Sequence, residues 1–427
     1  MSNAAVDTSL EAPLPAASAV PGALVLGGAH GSLAVARSLG RRGIPVWHLT
    51  HDHQLARFSR YVARCESWPG PDDAGAVEWL CRFVRHHGLD GWILFACGDP
   101  EVQFCARNHA VLSSVLRLST PPWAVTRWTV DKRMTYQHAD QIGVHVPRSH
   151  YPQSCEEAAQ LDCRFPVILK PAVHEQRNAF TQAKAWRADD REMLKARFAQ
   201  AAALVGEQAI VVQELIPGDG QRQFSYAVLC DRGVPTASLV ARRRRQFPIE
   251  FGYTSTFVET IEQPEVETAA CRILRSLELS GLVEVEFKYD VRDSHYKLLD
   301  INARPWTWIG LGNLAGVDFP FLAWRFAQGE TVAPVRGRPG VGWMHVTRDM
   351  IAACHEIWNG VSTPSGYLRS LQRPLTLAAF AKDDPLPGLI ELPLVAARVL
   401  ARSAPLRCRA PGKTLMQRPG PTGRLVQ

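Results

Sequence analysis

The chain has 427 residues, 46% of them hydrophobic, and a formal net charge of +7. That length and apolar content suit two or three domains with substantial cores, and no apolar run reaches the span of a membrane helix. The positive charge is gathered in Arg242–Arg245 and a basic C-terminal tail rather than spread along one face, which argues against nucleic-acid binding.

Residues 1–21 are Ala/Pro/Ser-rich and read as a disordered tail without a secretory signal. Residues 23–32 form an apolar strand running into a glycine turn. A helix follows over Leu33–Arg42, closed by Gly43, and a second strand over Ile44–Leu49. This βαβ opening predicts a Rossmann-like domain over 22–126. The turn lacks G-x-G-x-x-G spacing and Asp52 lies past the second strand, which weakens a dinucleotide reading. A further strand from Trp92 ends in a turn holding Asp99 and Glu101.

Lys132 stands at the start of a helix capped by Asp131 or Thr129, and Lys170 ends the short strand Phe165–Pro171. Residues 209–218 form an apolar strand that turns polar at Gln213 and Glu214 and breaks at Pro217-Gly218. Such an edge suits a flat purine. We expect a small α+β subdomain over 127–210 and a strand-rich one over 211–330. In Arg242–Arg245, alternate side chains would face a cleft and an anion. Arg242 with Arg244 is one parity pair, Arg243 with Arg245 the other, and Arg242 and Arg245 are carried forward as candidates. Gly252–Thr256 reads either as a substrate loop or as a turn into a strand.

Residues 282–305 read as a hairpin. Strand alternation puts Glu284, Glu286 and Lys288 on one side, and Asp300, Asn302 and Arg304 share a side on the return strand. If the two sides coincide, carboxylates and an amide oxygen converge as Mg²⁺ prefers. Trp306 and Trp308 would pack the wall of that site. Beyond residue 331 the chain changes character: a strand entering a helix over Trp343–Trp358, a strand over 378–387, a helix over 388–402, and a basic tail over 403–427. For that tail, disorder is favoured over contact with an anionic membrane. The ten cysteines form no C-x-x-C, which suits reduced thiols in a cytoplasmic enzyme.

Taken in order, the Asp131-Lys132 helix, residues 166–171, residues 212–218 and the Glu286/Asp300/Asn302/Arg304 set resemble the ATP-grasp superfamily, and within it ligases like D-aspartate ligase. The resemblance implies an ATP-grasp fold: a Rossmann-like N-terminal domain, two α+β subdomains enclosing ATP, and a C-terminal extension over 331–402. It implies that Lys132 and Lys170 hold phosphates and that Gln213, Glu214 and Ile216 form the adenine hinge. Asp219 or Gln223 would lie near the ribose. Glu286, Asp300 and Asn302 would bind two Mg²⁺ ions (or Mn²⁺ in their place), and Arg304 would stabilise the transferred phosphoryl group. Gly28, Gly31, Ser32 and Asp99 are the implied contacts of the second substrate. The lid after Lys170 lacks the family's glycines, leaving Arg177 or Lys184 to supply its contacts.

The implied activity is an ATP- and Mg²⁺-dependent carboxylate–amine ligase passing through an acyl-phosphate. Its partners would be a small carboxylate, such as an amino acid, and an amine. No Ser-His-Asp or G-x-S-x-G arrangement competes. The alternatives are an ATP-grasp kinase or enol-activating enzyme, a non-catalytic nucleotide-binding protein, and a Rossmann-type dehydrogenase. The oligomeric state is not legible.

Overall fold

The computed structural model describes residues 20–51, 54–173, 178–183, 185–247 and 254–403, with backbone alone for 396–403. Asp52, the lid residues 174–177, Lys184, Gly252, Tyr253 and most of both tails lie outside the described residues.

Strands β1 (Ala23–Leu26), β2 (Val46–Thr50), β3 (Arg64–Ser67), β4 (Ile93–Ala96) and β5 (Arg117–Leu118) form a parallel sheet in the order β3-β2-β1-β4-β5. The strands β1 and β4 are buried at every position because helices cover both faces. Ala23 and Val25 pack with Val35 and Leu39 of helix His30–Gly40. Leu24 and Leu26 face the opposite way, toward Leu80 and Val84 of helix Ala76–His86. Gly27 and Gly28, at φ +65 and +73, turn the chain from β1 into the first helix, a conformation that a Cβ would strain. That helix begins at His30, earlier than the apolar periodicity implies, since the polar residues of the turn already sit in helical conformation.

Strands β6 (Ser149–His150), β7 (Val167–Pro171), β8 (Trp186–Ala188) and β9 (Ile210–Glu214) make an antiparallel sheet ordered β6-β9-β7-β8. Leu194, Phe198 and Ala201 of helix Arg191–Val205 fill one face against Val167, Leu169 and Val212, the spacing of an amphipathic helix.

The third sheet is the largest. It comprises β10 (Gln223–Asp231), β11 (Val234–Phe247), β12 (Thr254–Ile261), β13 (Gly281–Asp290), β14 (His295–Asn302), β15 (Val335–Arg336), β16 (Gly342–Met344) and β17 (Leu375–Leu377). Its order is β14-β13-β10-β11-β12-β16-β17, with β15 beside β11. Helix Pro264–Ser276 buries Val266, Ile273 and Leu274 against Val228, Val283 and Phe287 on one face. On the other, Ala227 and Leu239 share a core with Phe319 and Trp324 and with Val35 and Leu39 of the N-terminal domain. The parallel-sheet domain is therefore seated on this sheet by a common apolar layer.

The residues past 331 are not a separate appendage, since β16 and β17 extend the same sheet. The strand read at 378–387 is instead Leu375–Leu377, and Ala381 and Asp384 form one isolated bridge. Helix Val346–Trp358 and helix Leu386–Ser403 follow the sequence reading closely. Among the described residues, no helix is long and apolar enough to cross a membrane.

Candidate active site

The strands β13 and β14 are adjacent and antiparallel, with Glu286 directly opposite Asp300 and Glu284 opposite Asn302. A register irregularity lies just beyond Glu286. Directly opposed side chains in a sheet share a face, so the two halves of the hairpin converge. The Asn302 amide nitrogen donates to Glu284 at 3.2 Å and to Glu286 at 3.0 Å. Glu286 also accepts from Gln223 at 3.1 Å and from Arg243 at 3.2 Å. Glu284 is buried beneath them at 4% exposure, accepting from Ser225 and the Trp308 indole, each at 3.0 Å. Burial, and then the neighbouring Glu286 charge, push its carboxyl up to about 7.

Lys132 reaches this ladder from helix Lys132–Gln141. The helix starts where the Asp131 carboxylate accepts from the Arg133 amide, and Lys132 Nζ donates to Asp300 Oδ1 at 2.7 Å. Burial opposes the ammonium most strongly, but the Asp300 charge and hydrogen bond, with Tyr136 and the Asp99 charge, together outweigh it and hold the group above the usual lysine value. Lys170, on β7, donates to Gln213 Oε1 of the paired strand β9 at 2.8 Å. Gln213 is anchored in turn to Ser149 at 2.9 Å. Tyr136 links the two lysine sites: its hydroxyl donates to the Leu299 carbonyl at 2.7 Å and bonds with Gln213. Lys170, Gln213, Tyr136, Lys132, Asp300 and Glu286 thus form one polar chain between the smaller and larger sheets.

The adenine-hinge candidates take structural partners. Glu214 accepts from the Arg148 amide and from Lys297, each at 2.9 Å, and from Arg292 at 2.7 Å. Lys288 Nζ donates to the carbonyls of Ile216 at 2.9 Å and Gly218 at 2.8 Å, stapling the segment after β9 to β13. Asp219 is exposed and caps its own turn. Gln223, read as a ribose contact, is instead turned onto Glu286.

Of the two parity pairs in the arginine run, Arg242 with Arg244 stays together and Arg243 with Arg245 is split. Pairing with β12 is irregular around Arg244, so strict alternation fails. Arg242 and Arg244 both donate to Glu259, which Arg373 also contacts. Arg245 is buried and makes a two-pronged pair with Asp349, each bond 2.9 Å, between the rings of Phe257 and Tyr367. Arg245 is therefore a core tie and is not presented to a substrate. Arg243 is the member that reaches the acidic ladder.

A cavity of about 620 Å³ adjoins Arg304 and is lined by Gly28, Gly31, His30, Asp99, Arg348 and Glu391 among others. Arg304 grips Asp99 through both nitrogens of its fork and lies 3.4 Å from the Asn302 amide oxygen. The Asp99 partnership therefore joins the acidic-ladder end of β14 to the Rossmann-like domain. Ser32 does not line this space. Its side chain is wholly buried, and its hydroxyl donates to the Gly27 carbonyl at 2.5 Å, holding the turn.

With this geometry established, similarity to other proteins is informative. Residues 207–348 match a family described as ATP-grasp in the biosynthetic pathway with Ter operon. The L-amino acid ligase from Bacillus licheniformis superimposes with a TM-score of 0.55 at 16% identity, covering 73% of this chain and 75% of its own. The chain has the ATP-grasp fold. Biotin carboxylase from Campylobacter jejuni aligns at TM-score 0.58 and 13% identity, over 72% of this chain and 71% of that one. The D-aspartate ligase of Enterococcus faecium is 22% identical over 298 residues, 66% of this chain and 70% of the relative.

Within this ATP-grasp fold, sequence reasoning passed over Arg243 as the chosen arginine, Gln223 as a partner of Glu286, Glu284 as a site carboxylate, and His30, Arg348 and Glu391 as cavity walls. The alternation that put Glu284 beside Glu286 was a usable signal for one of them. The cavity residues carry no local signal, because His30 and Glu391 meet across a separation of 361 residues.

Proposed function

We propose that this chain is an ATP- and Mg²⁺-dependent ligase that activates a carboxylate as an acyl-phosphate and joins it to an amine. The observation that carries this reading is Glu286 placed across the β13–β14 ladder from Asp300, with Lys132 on Asp300 and Arg304 at the adjoining cavity. The donor set suits magnesium: three carboxylates crowd one face and are offset by the Lys132 ammonium, the Arg243 guanidinium and the Asn302 amide. Hard oxygen donors of this kind favour Mg²⁺ over softer ions. Glu286, Asp300 and the Asn302 oxygen would hold it. Bound there, Mg²⁺ would neutralise charge on the phosphates of ATP.

The chain's own groups do the rest by position and charge. Lys170 approaches from the smaller sheet and Lys132 from a helix beside the larger one, the two sides that would enclose the phosphates, and Arg304 would stabilise the transferred group. The purine would lie along Gln213–Ile216, and movement of the smaller sheet toward the larger would close the site. The cavity offers Arg304 and Arg348 to a carboxylate and Asp99 and Glu101 to an ammonium, which suits an amino acid as one substrate. The amino-acid ligase relatives agree with that choice. A cytoplasmic setting belongs to the same proposal and rests on the unpatterned cysteines.

The test is ADP and orthophosphate release from Mg-ATP across pairs of amino acids and small acids, with mass detection of the coupled product. ADP release that requires both an acid and an amine supports the ligase. ADP formed without a coupled product indicates a kinase. Asp300→Ala should abolish Mg²⁺-dependent turnover while the circular dichroism spectrum stays native; unchanged turnover refutes the metal assignment.

A further inference from the structure

Away from the acidic ladder, three side chains from distant parts of the chain converge on one buried point. His30 lies at the start of the first helix, His345 follows β16, and Glu391 lies in helix Leu386–Ser403. Their ligating atoms all fall within 4.8 Å of one another. Glu391 Oε1 is 2.6 Å from His30 Nε2 and 3.2 Å from His345 Nε2. We propose that His30, His345 and Glu391 form a transition-metal site, suited to a zinc-class divalent ion, that fastens the C-terminal helix over the cavity beside Arg304.

His345 gives the strongest support. It is 2% exposed, yet its Nε2 has no hydrogen-bond partner, the contact with Glu391 lacking hydrogen-bond geometry. Orphaned buried nitrogens are uncommon and costly in native proteins, and a metal would satisfy this one. The other ring nitrogen, Nδ1, is 3.2 Å from the Thr347 hydroxyl, the kind of outer partner that fixes a ligating imidazole. The His345 backbone is also pinned, its amide donating to the Thr256 carbonyl at 2.8 Å.

The donor set distinguishes this site from the magnesium ladder. Two imidazoles and one carboxylate match zinc with a further position left open, whereas Mg²⁺ prefers an all-oxygen shell. Zinc–nitrogen bonds of about 2.0–2.1 Å would require only small outward shifts of His30 and Glu391. Both residues line the cavity, so the open position would face the space assigned to substrate. Arg348 lines the same space and acts electrostatically on His30. It would draw an anionic ligand to that open position.

The experiment begins with the full chain stripped by chelator and dialysed, then titrated calorimetrically with zinc alone and with cobalt under absorbance. We expect one zinc equivalent, a rise in Tm, and visible cobalt bands of a nitrogen–oxygen site. His345→Gln and Glu391→Gln should each weaken binding by more than the ~10–100-fold cost of losing an outer partner, while Glu286→Gln retains it. If either variant unfolds, His30→Asn gives the same reading. Failure of the wild type to take up a zinc equivalent overturns the proposal, as does an equivalent that survives in these variants. Displacement by excess Mg-ADP would assign the ion to the Glu286 ladder and overturn it equally. None of these results depends on ligase activity.

Discussion

Replacing Glu284 by Gln removes a buried carboxylate that sits next to Glu286 and accepts from Ser225, Trp308 and Asn302. Its folded pKa is raised from 4.5 to about 7, first by burial and then by Glu286. The folded chain therefore holds this proton more tightly than the unfolded chain. Stability from this group is full below about 4.5 and falls as pH rises to about 7, a loss of ~3 kcal/mol at ~1.4 kcal/mol per pH unit. A cation held on Glu286, as proposed, would reverse the preference and expel the proton. Apparent Mg²⁺ affinity should then rise by about tenfold from pH 6 to pH 8, since ~10% of a group with pKa near 7 is ionised at pH 6. Calorimetry of Mg-ADP binding in buffers of different ionisation enthalpy measures both the affinity and the proton release. In Glu284→Gln the pH slope should vanish, and the unliganded protein should gain stability at pH 8. A wild-type affinity that is flat between pH 6 and 8, or a slope retained in Glu284→Gln, would refute the reasoning.

Three further outcomes separate structural from chemical roles. Asp349→Ala leaves Arg245 buried without its carboxylate partner and should cost roughly 3–5 kcal/mol in urea denaturation, with KM for ATP unchanged in the protein that remains folded. Arg243→Ala removes an outer partner of Glu286 and should lower Mg²⁺-dependent turnover by ~10–100-fold, whereas Arg242→Ala should leave kcat within a few-fold because Arg244 and Arg373 still surround Glu259. Arg304→Lys breaks the two-pronged grip on Asp99 and should reduce kcat more than the KM for ATP, as steady-state ADP release would show.

Much of the fold could be read locally. The period-two alternation along residues 282–302 placed Glu284 and Glu286 on one face without any knowledge of partners, because strand geometry alone dictates it. The glycine turn after β1 and the apolar β1 and β4 strands identified a covered parallel sheet for the same reason. The Arg242–Arg245 run shows where local reading ends. Irregular pairing around Arg244 breaks the alternation, and Arg245 is drawn inward by Asp349 from a different element. Ser32 was misjudged for a related reason: a hydroxyl beside a glycine turn can bond its own backbone instead of a ligand.

What the residues determined unaided was the chemistry on offer: paired acids on a hairpin, lysines at a helix start and a strand end, and the order in which they occur. What only tertiary structure decided was which groups meet. Lys132 finds Asp300 across 168 residues, and His30 finds Glu391 across 361. Alternation and helical periodicity describe contacts a few residues apart, whereas these meetings arise from sheets and helices packing through shared apolar layers, which carry no trace of their polar passengers.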